Sequence, residues 1–167
     1  MVWSYFLSLE LNKLLKKELS GLHRIQALRD FSDVKKGDVG GFIESETNLS
    51  HNGDAWVYGD ARVYGNAWVY GDAEVYGNAR VSGDAWVSGN ARVYGNARVY
   101  GDAEVYGNAR VYGDAEVYGN AWVSGNARVS GDARVSGDAW VSGYHGQFLW
   151  NKIKRFPKSS IGFVQNH

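Results

Sequence analysis

A six-residue unit repeats without interruption through residues 53–142, and few chain architectures accommodate such a pattern. Each of the fifteen units reads Gly, Asp or Asn, Ala, a variable residue, Val, and then Tyr or Ser. Because side chains alternate between the two sides of a strand, the Ala and Val of each unit face the same side. Gly-Asp and Gly-Asn favour turns, since both residue types tolerate left-handed backbone angles. The repeat therefore predicts short strands joined by tight corners, with Ala and Val inside.

Three such corners close a triangle, so one coil is predicted to contain 18 residues and the repeats to form five coils. Weaker copies of the unit, GFIESE and TNLSHN, occupy residues 41–52 and extend the coil at its start. An α-helix would need apolar residues three or four apart and far fewer glycines. A glycine at every sixth position also interrupts any long, flat, amyloid-like strand. The sequence thus predicts an all-β solenoid of stacked parallel strands.

This spacing of Val and Ala resembles that of the hexapeptide-repeat, left-handed parallel β-helix found in many acyltransferases. Residues 24–55, which begin RIQALRDFSDVKKGDVGGF, also look like the segment before the repeat in bacterial and phage hexapeptide-repeat proteins labelled transferase-like or polymer-forming. The resemblance implies a left-handed coil, although crossover connections in sheets are usually right-handed. It also implies a homotrimer. It says little about activity, because one fold can host many functions.

Both flanks depart from the repeat, and we expect them to cover the exposed ends of the solenoid. Residues 1–22 carry five leucines at helical spacing beside three lysines, which predicts a short amphipathic helix. Residues 24–31 alternate like an edge strand. Small serines at positions 124, 130, 136 and 142 leave room for a C-terminal tail that folds back. The predicted organisation is an N-terminal helix and cap (1–40), a β-helix (41–142) and a basic, aromatic C-terminal cap (143–167).

Charge and composition exclude several classes of protein. The chain has no cysteine for disulfides or thiolate metal sites, and its formal net charge is zero. The repeats carry seven Arg against eight Asp and three Glu, which disfavours nonspecific binding of nucleic acid. No apolar run reaches membrane-spanning length, and no signal peptide is predicted. We therefore expect a cytoplasmic protein without a membrane or nucleic-acid partner.

Residues 18 apart should share one column, which sorts the variable positions onto three outward faces. The tryptophan face carries Trp68, Trp86, Glu104, Trp122 and Trp140. The arginine face carries Arg62, Arg80, Arg98, Glu116 and Arg134. The tyrosine face carries Trp56, Glu74, Arg92, Arg110 and Arg128, beside Tyr58, Tyr76, Tyr94 and Tyr112.

The column of outward tryptophans is the most informative surface feature, because monomers seldom leave a large apolar patch bare. Three interpretations remain open: self-association, binding of a ligand such as a sugar chain, and stacking of the rings with no partner. An antiparallel twofold dimer would set Glu104 against its own copy. A parallel threefold ring instead sets the tryptophan face of one chain against the arginine face of the next, which favours a trimer over a dimer. The arginines of the tyrosine face would serve almost as well. In register the pairs are Trp68 with Arg62, Trp86 with Arg80, Glu104 with Arg98, Trp122 with Glu116, and Trp140 with Arg134.

Catalytic and metal chemistry finds little support in the sequence. In the acyltransferases a histidine acts as general base and protruding loops shape the acyl-donor site, but the repeats contain neither. The four histidines, His23, His51, His145 and His167, lie outside them. Corner Asp and Asn are better explained by turn formation than by a calcium ladder, and the bulky outward residues argue against ice binding. We expect no enzyme and no cofactor. The alternatives are a phage- or bacteria-encoded binding protein that captures a host protein or a small acidic ligand on its Arg and Tyr columns, and a degenerate hexapeptide acyltransferase.

Overall fold

The computed structural model describes residues 12–17 and 21–143. These residues form nineteen strands and one 3-10 turn, Glu46–Asn48. The strands are β1 (Asn12–Lys17), β2 (His23–Ala27), β3 (Val39–Ile43), β4 (Leu49–Gly53), β5 (Trp56–Val57), β6 (Arg62–Val63), β7 (Trp68–Gly71), β8 (Glu74–Val75), β9 (Arg80–Val81), β10 (Trp86–Val87), β11 (Arg92–Val93), β12 (Arg98–Tyr100), β13 (Glu104–Val105), β14 (Arg110–Val111), β15 (Glu116–Tyr118), β16 (Trp122–Gly125), β17 (Arg128–Val129), β18 (Arg134–Val135) and β19 (Trp140–Gly143).

The strands build three sheets, one for each predicted face. The tryptophan face is the sheet β4-β7-β10-β13-β16-β19, and the tyrosine face is β5-β8-β11-β14-β17. The arginine face is β3-β6-β9-β12-β15-β18, extended at its start by β2 and β1. Trp86 pairs with Trp68 on one side and Glu104 on the other, all in parallel strands. The parallel β-solenoid with 18 residues per coil is therefore confirmed.

Neighbouring coils are joined by regular backbone hydrogen bonds. The N–H of Asp84 donates to Gly101 O, that of Trp86 to Ala103 O and that of Ser88 to Val105 O, each at 2.9 Å. Each N–H in this series reaches a carbonyl of the following coil. A single coil cannot satisfy its backbone alone, so the coils stabilise one another through their interfaces.

Ala and Val fill the interior, as the repeat predicts. From Ala55 to Val123 every Ala and Val of the repeat is completely buried. The core is slightly open in the last coil, where Ala127, Ala133 and Val135 retain 5–7 % exposure. Burial of each Val contributes about 1.5–3 kcal/mol of apolar transfer energy, so the coils form one continuous hydrophobic core.

The predicted N-terminal helix is wrong over Asn12–Lys17, which form strand β1. This strand pairs antiparallel with β2, and Leu14 lies opposite Ile25. The physical reason is the free edge of β2, whose N–H and C=O groups need a backbone partner that a helix would not supply. The prediction of a strand within residues 24–31 is confirmed, but β2 is internal to the sheet because β1 lies outside it. The predicted C-terminal cap lies outside the described residues.

Candidate functional site

The tryptophan face presents its rings in the predicted column. Trp68, Trp86, Trp122 and Trp140 are 39, 44, 45 and 67 % exposed, respectively. Glu104 is half-buried and lies between the pair Trp68 and Trp86 and the pair Trp122 and Trp140. The structure therefore brings together all five residues that the sequence places on this face, and it leaves the rings accessible.

Contacts among these rings and their neighbours are uneven along the column. Trp68 stacks on Tyr70, with ring centroids 4.2 Å apart, and meets Trp86 edge-to-face at 6.1 Å. At the other end, the indole Nε1 of Trp140 donates a hydrogen bond to Ser124 Oγ at 3.2 Å. These contacts hold the rings in position without covering their outward surfaces. Stacking of rings within one chain therefore occurs around Trp68, at the N-terminal end of the column.

The arginine face also has the predicted register, with one local ion-pair network. Glu116 lies between Arg98 and Arg134, and its carboxylate oxygens are 3.6 and 3.7 Å from their guanidinium nitrogens. Among the described residues, no carboxylate lies within 4.0 Å of the guanidinium of Arg62 or Arg80. Arg62 and Arg80 therefore remain available to a group from outside this surface, whereas the charge of Glu116 is offset within the chain.

A ladder of parallel rings runs along the tyrosine face. The members are Tyr58, Tyr76, Tyr94 and Tyr112, with successive centroids 4.7, 4.8 and 5.0 Å apart. Burial raises the pKa of Tyr58, and the neighbouring Glu74 carboxylate raises it further. Burial likewise raises the pKa of Tyr76. Arg92 pairs with Glu74 at 3.0 Å, which leaves Arg110 and Arg128 without a carboxylate partner among the described residues.

Trp56, the first variable residue of this face, is buried, whereas the variable residues of the other repeats are exposed or half-buried. Trp56 is only 5 % exposed because the segment after β2 folds over it, and Phe31 meets its ring edge-to-face at 5.5 Å. Between this segment and the tyrosine face lies a groove of about 580 Å³. Sequence reasoning missed the groove, because it depends on how a nonrepetitive segment crosses the solenoid.

Asn48 is a second residue that the repeat pattern did not reveal. Its completely buried side chain donates to Gly65 O at 2.9 Å and to Ala67 O at 2.8 Å, and accepts from the N–H groups of Glu44 and Ser45. One amide thus satisfies two carbonyls at the first full coil that would otherwise lack a donor. The only sequence signal was an Asn at the corner position of a degenerate repeat.

The histidines and the corner carboxylates and amides are the remaining side chains of chemical interest. No group of three or more His, Cys, Asp or Glu side chains in the described part of the chain could hold a metal ion. His51 is half-buried beside the first coil, and His145 and His167 lie outside the described residues. Corner amides instead bridge coils, as where Asn66 Nδ2 donates to Asp84 Oδ1 at 2.8 Å. Within the described residues, no helix has the length and apolar character needed to cross a membrane.

Comparison with known families agrees with this geometry and defines the class of protein as a β-solenoid repeat protein. The family described as YdcK beta solenoid repeat matches residues 55–71, 73–89, 91–106, 103–119, 115–131 and 127–143. These matches cover just over half of the 167 residues. The chain belongs to the YdcK β-solenoid repeat family. No curated protein sequence matches it significantly.

Proposed function

We propose that this protein is a non-enzymatic structural module that self-associates through its tryptophan face, as a parallel homotrimer. The observation that carries the proposal is the column of four tryptophans that stay 39–67 % exposed, although the Ala and Val residues beneath the first three of them are completely buried. If each ring offers about half of the 150–250 Å² that a tryptophan can bury, the four supply about 300–500 Å². Apolar patches of this size on a surface are often functional.

The neighbouring chain's arginine face is the complementary surface in this proposal. In the parallel register, Trp68 meets Arg62 and Trp86 meets Arg80, the two guanidinium groups of the arginine face that have no carboxylate within 4.0 Å among the described residues. A guanidinium over an indole ring is favourable by about 0.5–2 kcal/mol. Higher on the faces, Glu104 meets Arg98 and Trp140 meets Arg134. These contacts favour a heterologous ring over a random collision of apolar rings.

One pair of the register is unfavourable, but its repulsion is weaker than the sequence alone suggests. Trp122 would face Glu116, a carboxylate against an indole. Arg98 and Arg134 already lie within 4.0 Å of that carboxylate, so its charge is offset before association. A stable interface buries about 800 Å² on each partner, more than four rings supply. The interface must therefore include flanking residues, among them Tyr70 and Tyr106.

The test is the mass in solution of the full chain and of a double variant, Trp86→Ser with Trp122→Ser. Light scattering should give three times the 18.5 kDa of one chain for the natural sequence and a single-chain mass for the variant. The matched control is Arg110→Ser with Arg128→Ser, which changes the same repeat position on the tyrosine face. It should stay trimeric. A natural chain that is monomeric at micromolar concentration would contradict the proposal.

A second candidate function is capture of an acidic ligand on the tyrosine face. The specific observation is that Arg110 and Arg128 have no carboxylate within 4.0 Å in the described structure, beside the stacked rings of Tyr94 and Tyr112. A hexaglutamate peptide is a suitable probe. Loss of its binding in the Arg110→Ser, Arg128→Ser variant, with the mass unchanged, would favour this function. A thermal shift with coenzyme A would instead favour a degenerate acyltransferase.

A further inference from the structure

We propose that the groove beside Trp56 is a docking site for the basic C-terminal segment of the same chain, residues 152–158. This inference is independent of the self-association proposed above. Its lining carries five carboxylates and one guanidinium. They belong to Asp33, Asp38, Asp54, Asp72, Glu74 and Arg92. The guanidinium is already paired with Glu74, so the groove has a net charge of about −4 and selects a cationic occupant.

The floor of the groove indicates a peptide rather than a bare metal ion. Trp56 lines it, is 95 % buried, and has no hydrogen-bond acceptor for its indole N–H among the described residues. Buried donors normally have a partner, and a peptide carbonyl would supply one. Val39 also lines the groove and is 51 % exposed, which suits an apolar side chain. The described residues lack a cluster that could hold a metal ion.

The described chain ends on the corner edge that leads to this groove. Gly143, the last described residue, pairs with Gly125 at the corner that joins the tryptophan face to the tyrosine face. Counted in steps of 18 residues, Asp72 and Asp54 lie on the same corner edge, four and five coils before position 144. Four coils span about 19 Å at 4.8 Å per coil. The eight residues 144–151 reach about 26 Å when extended, so Lys152 can arrive beside Asp72.

Charges along that edge match the charges of the segment in order. Below Gly143 the corner positions are Asn126, Asn108 and Asn90, all neutral, and only then Asp72 and Asp54. Residues 144–151 contain no Lys, Arg, Asp or Glu. Residues 152–158 carry four positive charges, at Lys152, Lys154, Arg155 and Lys158. The uncharged stretch therefore passes the amides, and the basic stretch reaches the carboxylates. Ile153 and Phe156, between the basic residues, suit the apolar floor.

The direct test is zero-length cross-linking of the full chain with a carbodiimide, which joins a lysine amine to a carboxylate in contact with it. Mass spectrometry should find Lys152, Lys154 or Lys158 joined to Asp54 or Asp72. Mixing isotopically light and heavy chains separates bonds within one chain from bonds between chains. Bonds between chains, bonds to Asp132 or Asp138 at the end of the solenoid, or no bonds from these lysines would each overturn the proposal.

A second test measures how well the groove protects the segment from trypsin. In the variant Asp54→Asn with Asp72→Asn, cleavage after Lys152, Lys154 and Arg155 should become about three- to tenfold faster. The matched control is Asp84→Asn with Asp102→Asn, an equivalent stacked pair on another corner edge, which should leave cleavage unchanged. Asn is the natural alternative at these corners, so both variants keep the repeat. Equal rates in the two variants would overturn the proposal.

Discussion

At the scale of single residues, the corner glycines show why the repeat accepts so little variation at this position. Gly95 has a φ of +72°, a backbone conformation that L side chains rarely adopt. A Cβ placed there would lie 3.0 Å from the N atom of Gly113 and 3.1 Å from its O atom in the next coil. A side chain at Gly95 is therefore excluded for two reasons: the positive φ of its backbone and the short distance to the next coil.

These two contributions can be separated by comparing two alanine substitutions. Gly131 has a φ of +63°, but a Cβ there would meet none of the described residues within 4 Å. Gly131→Ala should therefore cost only the left-handed conformation, about 1 kcal/mol of the free energy of unfolding. Gly95→Ala should cost about 1–3 kcal/mol more, because the coils must move apart. Urea unfolding of both variants measures the difference, and equal losses would show that stacking at the corner contributes nothing.

Residues outside the repeat mark the limit of sequence reasoning at this scale. The columns of Trp, Arg and Tyr follow from counting 18 residues, because each unit has the same local geometry. The burial of Trp56 and the hydrogen bonds of Asn48 do not follow, since both depend on a segment without periodicity. Within the repeat, the periodicity predicts which residues are neighbours. The first coil is instead completed by nonrepetitive residues, whose positions depend on tertiary contacts.

At the scale of elements, one hexapeptide is a strand and a corner, and one coil is three of them. Every unit carries the same Gly, Ala and Val, so the interior cannot distinguish one face from another. The outward residues alone give each sheet its identity. The hairpin at the start shows the opposite case, because leucines at helical spacing proved compatible with a strand once β2 offered a free edge. Propensity yields to backbone pairing in such a segment.

Two deletions of different length should therefore keep the fold and differ in assembly. Deletion of a full coil, residues 89–106, preserves the tryptophan column and removes Glu104 from it. Deletion of one hexapeptide, residues 95–100, rotates everything after it by one face. Trp122 and Trp140 then move to the arginine face. Circular dichroism should show a folded solenoid in both variants, with stability reduced roughly in proportion to the length removed.

The mass in solution should separate the two deletions. The coil deletion should remain associated, because four tryptophans still share one face. The hexapeptide deletion should lose association, because only Trp68 and Trp86 remain on the original sheet. If both variants stay associated, the tryptophan column is not the interface, whatever the mass of the natural chain.

At the scale of the whole molecule, the solenoid has two ends at which a coil lacks a neighbouring coil. Parallel strands exchange N–H···O=C bonds in both directions, so among the described residues each end of the stack has both N–H and C=O groups that no further coil pairs. At the start, Phe42 N–H donates to Ala61 O, and the Asn48 amide donates to Ala67 O. In the described part of the chain, no coil follows Gly143 to accept from the last N–H groups.

Hydrogen exchange at the last coil should test the predicted C-terminal cap. The N–H of Arg110 donates to Ala127 O at 2.8 Å, and that of Tyr112 donates to Val129 O at 2.9 Å. Arg128 and Ser130 occupy the same positions one coil later, where the described residues provide no acceptor. If residues 144–167 leave along the corner edge, the amides of Arg128 and Ser130 should exchange at least about a hundredfold faster than those of Arg110 and Tyr112. Equal protection would mean that this segment covers the end of the solenoid, and the edge-docking proposal would then fail together with the exchange prediction.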